Sequence, residues 1–174
     1  MVSHERRIIS DISFHEDEVK LAKKMIDTLR TTMEFLYYLM EHRNKTTLTM
    51  ILISTEGLKL ESMLQKWKRD TDILFEIDKE NNVYVLICQS TDHEGAERFA
   101  EILLSNTHMN GGAETYCIAS ELKSTIHTIQ EVIFKTVEKY ITLKQNGSSN
   151  KVFFTDFENI KKTETPDITY HTGV

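Results

Sequence analysis

Apolar side chains recur every three or four residues between positions 16 and 43, and this spacing predicts one long helix. The repeat lasts for three heptads, which is typical of a helix that packs in a coiled coil. The seam positions are Val19, Ala22, Ile26, Leu29, Met33, Leu36 and Met40. A second apolar stripe beside the seam consists of Leu21, Met25, Phe35 and Leu39. One stripe can pair with a second chain while the other packs on the domain. The alternative is a helix that packs only within its own chain.

Short apolar runs alternate with amphipathic stretches in the rest of the chain. Residues 50–53 are continuously apolar, as expected for a strand that is covered on both faces. Further strands are predicted at residues 73–77, 83–87, 113–120 and 150–157, and further helices at residues 56–70, 92–106 and 124–146. Asp92 is the expected N-cap of the middle helix, and Gly147 is expected to end the last one. The inward-facing residues of the helix at 56–70 are predicted to be Leu60, Met63, Leu64 and Trp67. Those of the helix at 124–146 are predicted to be Ile126, Ile129, Ile133, Val137 and Tyr140.

This order of elements predicts an α+β domain. A β-α-β-β-α-β core makes a ferredoxin-like sheet with helices on one face, and here a long helix precedes it and an α-β unit follows it. We divide the chain into an N-terminal helical segment (1–45), a main domain (46–157) and a polar, threonine-rich tail (158–174) that is expected to be flexible.

Composition argues against several functions. The net charge of −6 does not favour nucleic-acid binding, which needs a basic surface. No apolar run approaches the roughly 20 residues that span a bilayer, and no signal peptide is recognisable, so we expect a cytoplasmic protein. Cys88 and Cys117 lie in apolar runs and are interpreted as buried free thiols. The seven histidines lack metal-ligand spacing, so we predict no metal site and no cofactor.

A polar turn joins the two central strands. Residues 69–72 read Arg-Asp-Thr-Asp, five residues follow, and the turn itself consists of Asp78, Lys79, Glu80, Asn81 and Asn82. In this register the segment resembles the GGDEF family of diguanylate cyclases. That family carries GG(D/E)EF at the tip of its central hairpin, and an RxxD motif precedes the tip by five residues. The resemblance extends over about residues 45–157, with GAERFAEIL after the hairpin, TYCIA at 115–119 and a K-x-x-G pattern from Lys144 to Gly147.

The departures from the family pattern argue against catalysis. The two glycines that let substrate approach the hairpin backbone are replaced by Asp78 and Lys79. The first strand ends Ile-Ser-Thr-Glu at 53–56, without the expected metal-binding aspartate, and Glu80 alone makes a poor Mg²⁺ site. The segment between that strand and the hairpin is also shorter than in the family. The resemblance therefore implies a degenerate domain with no catalytic residues.

The RxxD motif implies a ligand. In the family this motif binds cyclic di-GMP, and Arg69 and Asp72 have the chemistry to do so, because a guanidinium pairs with guanine or phosphate oxygens and a carboxylate accepts from guanine N–H groups. The alternative is structural: a basic residue at a helix C-terminus interacts favourably with the helix dipole.

Other chemistry is weaker in this sequence. Asp72, Glu76 and Asp78 alternate along one strand and are interpreted as one solvated face. An enzyme with a metal site relocated to Asp78 and Glu80 is a rival hypothesis. The favoured interpretation is a non-catalytic regulatory domain that binds a protein partner, or a second copy through residues 16–43, and cyclic di-GMP at Arg69 and Asp72. The alternative is an unrelated ferredoxin-like interaction module that binds no nucleotide.

Overall fold

The computed structural model describes residues 2–43 and 47–157, with side chains from residue 16 onward. The elements are α1 (Val2–His42), β1 (Leu48–Thr55), α2 (Leu60–Trp67), β2 (Asp72–Asp78), β3 (Val83–Gln89), α3 (His93–Met109), β4 (Thr115–Leu122), α4 (Ile129–Asn146) and β5 (Val152–Phe154). This is the predicted order. The tail predicted at 158–174 lies outside the described residues.

The five strands form one sheet in the order β2-β3-β1-β4-β5. The first four are antiparallel to their neighbours, and β5 runs parallel to β4. Strands β1 to β4 with α2 and α3 are therefore a ferredoxin-like unit. The predicted α+β class is confirmed.

Helices cover both faces of this sheet. On one face, α2 and α3 pack against the side chains of Ile51, Ile53 and Leu86. On the other, α1 and α4 pack against Met50 and Leu52. Every residue of β1 is buried, as the continuous apolar run predicted. The expectation of helices on one face holds for α2 and α3 only, because α1 and α4 form a second layer.

Helix α1 uses most of its predicted coiled-coil seam within its own domain. The buried residues of α1 are Ala22, Met25, Leu29, Met33 and Leu36, which belong to the core on the α4 side of the sheet. Four of them are seam positions. Three apolar residues of α1 are more than half exposed: the seam residue Val19 at 55%, Phe35 at 60% and Tyr38 at 54%. This arrangement favours the intramolecular alternative for the seam.

Two predicted inward residues are exposed. Helix α4 begins at Ile129 rather than at residue 124, because Thr128 and Glu131 form a capping box that fixes its start. Ile126 therefore lies before the helix and is 60% exposed. Trp67 ends α2 and is 42% exposed, although Leu60, Met63 and Leu64 are buried as predicted.

Helix ends and cysteines agree with the sequence analysis. The side chain of Asp92 caps α3 by accepting a hydrogen bond from the Gly95 N–H, and Gly147 ends α4 with φ of 64°. Cys88 and Cys117 are buried free thiols, and burial raises the pKa of each to about 12. Among the described helices, none has the length and apolar character needed to cross a membrane.

Candidate functional site

Strands β2 and β3 form the predicted antiparallel hairpin. Its register shifts at a β-bulge, where Glu76 lies opposite Tyr84 but Asp78 lies opposite Val83. A bulge adds one residue to its strand and redirects the side chains that follow. Asp78 consequently points to the α1 side of the sheet, whereas Asp72 and Glu76 face the other side. The predicted single face of three carboxylates is wrong for this reason.

The carboxylate of Asp78 is engaged by neighbouring side chains. It accepts hydrogen bonds from the backbone N–H of Asn81 at 3.3 Å and from the Asn81 amide at 2.7 Å. Lys24 of α1 places its ammonium 3.3 Å from the same carboxylate. Burial alone would raise the pKa of Asp78, but the Asn81 hydrogen bonds and the Lys24 charge outweigh it and hold the pKa below its ordinary value.

Asn82 fastens the tip of the hairpin to the loop after β1. Its amide donates to the carbonyl oxygens of Thr55 at 2.9 Å and Leu58 at 2.5 Å. Its side-chain oxygen accepts from the Leu60 N–H at 3.3 Å. Asn82 has φ of 55°, in the left-handed region that asparagine tolerates better than most residues. The last residue of the predicted turn therefore bridges two loops.

A cleft of about 510 Å³ lies between this tip and the end of β1. Its lining includes Glu56, Glu80 and Glu114, with Lys79 and Lys144. Glu56 and Glu80 are both exposed. Across residues 16–43 and 47–157, no group of three or more His, Cys, Asp and Glu side chains is arranged to hold a metal ion.

A buried pair of hydroxyl groups includes Ser54, which lines this cleft. Ser54, near the end of β1, hydrogen-bonds Tyr140 of α4 at 2.9 Å between the two oxygens. Lys144 places its ammonium 5.4 Å from the centre of the Tyr140 ring. The end of β1 thus carries the hydroxyl groups of Ser54 and Thr55. The hydroxyl of Ser54 is bonded to Tyr140 within the same chain.

Arg69 and Asp72 lie together at the opposite end of the hairpin, where they form an ion pair. The guanidinium Nη2 lies 2.8 Å from Asp72 Oδ1, and Nε lies 3.0 Å from Oδ2. The Arg69 backbone N–H also donates to this carboxylate, and Nη2 donates to Thr91 Oγ1 at 2.6 Å. This geometry is the strong two-point pairing of arginine with a carboxylate.

The two members of the pair differ in exposure. The Asp72 side chain is fully buried and the Arg69 side chain is 48% exposed. Asp72 therefore does not belong to a solvated face, because Arg69 covers it and Cys88 lies opposite it on β3. The hydrogen bond to Asp72 raises the pKa of Arg69 further, and the guanidinium carbon lies 5.8 Å from the centre of the Phe99 ring.

The sequence did not reveal the roles of four residues at these sites: Lys24, Asn82, Thr91 and Tyr140. Only Asn82 carried a local signal, since asparagine at the end of a turn tolerates positive φ. The contacts of the other three join positions far apart in the sequence, from Lys24 with Asp78 to Ser54 with Tyr140, and a local pattern does not encode such pairs.

Comparison with known proteins adds evidence at the level of structure. No protein-family model matches the chain, and no curated protein matches it in sequence. Among solved structures, it is similar to the active GGEEF domain of a diguanylate cyclase from Vibrio cholerae, with 16% identity and a TM-score of 0.53 over 70% of this chain and 90% of that one. The chain has the fold of a GGDEF domain.

A second solved structure supports the same conclusion. The diguanylate cyclase SiaD from Pseudomonas aeruginosa, in complex with its activator SiaC, has a TM-score of 0.54 and 10% identity over 88% of this chain and 68% of that one. The resemblance inferred from the RxxD motif and the hairpin register is thus confirmed for the fold. Both neighbours are diguanylate cyclases.

Proposed function

We propose that this chain is a non-catalytic regulatory domain of GGDEF fold, located in the cytoplasm, that acts by binding a protein partner. The observation that carries the proposal is the state of the hairpin tip. Asn82 ties the tip to the loop after β1 with three hydrogen bonds, and Asp78 is engaged by Lys24 and Asn81. The side chains of Asp78, Asn81 and Asn82 are therefore engaged in contacts within the chain.

Substrate and metal binding would both be obstructed in this arrangement. Side chains at Asp78 and Lys79 replace the glycines that allow close approach of a nucleotide to the backbone. Phosphoryl transfer derives most of its rate from metal ions and electrostatic clamps around the phosphates. Glu56 and Glu80 are exposed, and in the described part of the chain no three His, Cys, Asp or Glu side chains are arranged to hold a metal ion.

A cyclase assay tests the absence of catalysis. The purified full chain is incubated with GTP and either Mg²⁺ or Mn²⁺, and cyclic di-GMP is measured by mass spectrometry beside an active GGDEF cyclase. We expect no product above the level of a protein-free control. Product that accumulates in proportion to protein concentration would overturn this part of the proposal.

A protein partner is supported by two observations. One neighbour, SiaD, was solved in complex with its activator. In this chain, α1 leaves Val19, Phe35 and Tyr38 more than half exposed, although most of its predicted seam is buried. Analytical ultracentrifugation of the wild type and a Phe35→Asp variant distinguishes the candidates. A dimer that the substitution weakens indicates a second copy as partner, whereas a monomer favours a different protein.

Cyclic di-GMP is a second candidate ligand, favoured by the geometry of Arg69. Asp72 and Thr91 hold the guanidinium in place while almost half of the side chain stays exposed, as a preorganised anion-binding group requires. Asp72 itself could reach a ligand only after its ion pair with Arg69 opens.

Isothermal titration calorimetry with cyclic di-GMP tests this candidate, with Arg69→Ala as the variant and Lys66→Ala as the matched control. We expect saturable binding that Arg69→Ala abolishes and Lys66→Ala leaves intact. No heat with tens of micromolar protein, together with no response to other guanine nucleotides, would favour the ferredoxin-like interaction module that binds no nucleotide.

A further inference from the structure

A second cleft lies on the other side of the hairpin tip, between α1, α4 and the tip. Its volume is about 700 Å³, and binding sites for small molecules usually measure about 300–1,000 Å³. Leu21, Val83 and Ile141 give it an apolar lining. The cleft at the end of β1 contains no α1 residue, so α1 distinguishes the two.

The charge of this lining differs from that of the whole protein. The chain carries a net charge of −6, yet four lysines and three aspartates line the cleft: Lys20, Lys23, Lys24 and Lys144, with Asp17, Asp27 and Asp78. A concave surface concentrates the potential of the charges around it. With Lys24 paired to Asp78, three lysines remain against two aspartates, so the lining is slightly positive and favours an anion over a cation.

Two of these lysines are available to a ligand. Lys24 is paired with Asp78, but Lys20 pairs only with Glu16 on its own helix, in an exposed ion pair of 3.2 Å that contributes little. Lys23 makes no ion pair among the described residues. Lys20 and Lys23 both line the cleft together with its apolar residues.

We propose that this cleft binds a small organic anion. Its apolar body lies on Leu21, Val83 and Ile141, and its acidic group, a phosphate or a carboxylate, lies at Lys20 and Lys23. The inference goes beyond the proposed function and does not depend on it, because none of these five residues lines the cleft beside β1. A ligand there touches both α1 and the hairpin tip.

The fluorescent dye 8-anilinonaphthalene-1-sulfonate is a suitable probe, since it joins an aromatic body to one acidic group. We expect the native full chain to bind it at one saturable site. Lys23→Gln should weaken binding at least threefold, and Lys20→Gln combined with Lys23→Gln about tenfold. The difference in affinity between the wild type and these variants should shrink at high salt. Thermal melting confirms that each variant is folded.

Matched controls separate this site from general effects. Lys66→Gln removes the same charge from α2, on the other face of the sheet, and Ile102→Ala removes an exposed apolar side chain of α3. Both variants should bind the dye like the wild type. Displacement by phenyl phosphate or by benzoate tells which acidic group the site prefers. Wild-type affinity in the double lysine variant, an equal loss in Lys66→Gln, or failure of both competitors would each overturn the proposal.

Discussion

Replacing Asn82 tests whether its side chain holds the hairpin tip closed. Asn82→Ala removes three hydrogen bonds, each contributing about 0.5–1.5 kcal/mol net, and places alanine at a φ of 55°, which costs a further 1 kcal/mol or so. Because Asn82 is only half-buried, water replaces part of what is lost. We expect a loss of about 3 kcal/mol in the free energy of unfolding.

Asn82→Gly separates the two contributions. Glycine loses the same hydrogen bonds but adopts the left-handed conformation without strain, so we expect a loss of about 2 kcal/mol. Lys79→Ala is the control: this exposed side chain at the same tip makes no hydrogen bond or ion pair within the described residues, and its removal should change stability by less than about 0.5 kcal/mol.

Urea denaturation with a constant m-value measures these differences. Two results would contradict this role of Asn82. If both Asn82 variants unfold within about 0.5 kcal/mol of the wild type, the bridge to the loop after β1 contributes nothing. If the Asn82→Ala variant is as stable as the Asn82→Gly variant, the left-handed backbone at this position carries no strain.

Three further predictions concern the surroundings of the tip. Gly112→Ala should destabilise the fold by about 1–3 kcal/mol in the same urea assay, because the added Cβ would lie 2.5 Å from Thr107 Cγ2; a neutral effect would mean that the loop yields easily. Tyr140→Phe leaves the buried Ser54 hydroxyl without its partner and should cost about 1–2 kcal/mol, with an unchanged melting temperature as the contrary result. The pKa of Asp78 is lower in the folded chain than its ordinary value of 3.8, so its stabilising contribution is present above that pH and disappears as the pH falls through the lowered value. Stability measured from pH 6 to pH 2 should therefore fall less in Asp78→Asn than in the wild type, and parallel curves would contradict this.

Much of the fold was predictable because its elements follow local patterns. The continuous apolar run of β1 indicated a strand covered on both faces, and Asp92 and Gly147 marked helix ends by their capping chemistry. The start of α4 was predicted too early, since Ile126 fits the helical spacing but the capping box at Thr128 fixes the boundary. Periodicity detects a helix more readily than its first residue.

The site was less predictable because its decisive contacts are tertiary. Strict alternation placed Asp78 on the same face as Asp72, and the bulge after Glu76 reversed it. The RxxD spacing identified Arg69 and Asp72, and the structure pairs them with each other. Sequence spacing identified the residues that meet but did not reveal that the carboxylate would be buried.

We propose that the hairpin tip does not admit a nucleoside triphosphate. The most direct measurement is isothermal titration calorimetry of the full chain with a non-hydrolysable GTP analogue and Mn²⁺. We predict no saturable heat with tens of micromolar protein. Stoichiometric binding that depends on Mn²⁺ and is lost in Glu80→Ala would show that the tip does admit a nucleotide.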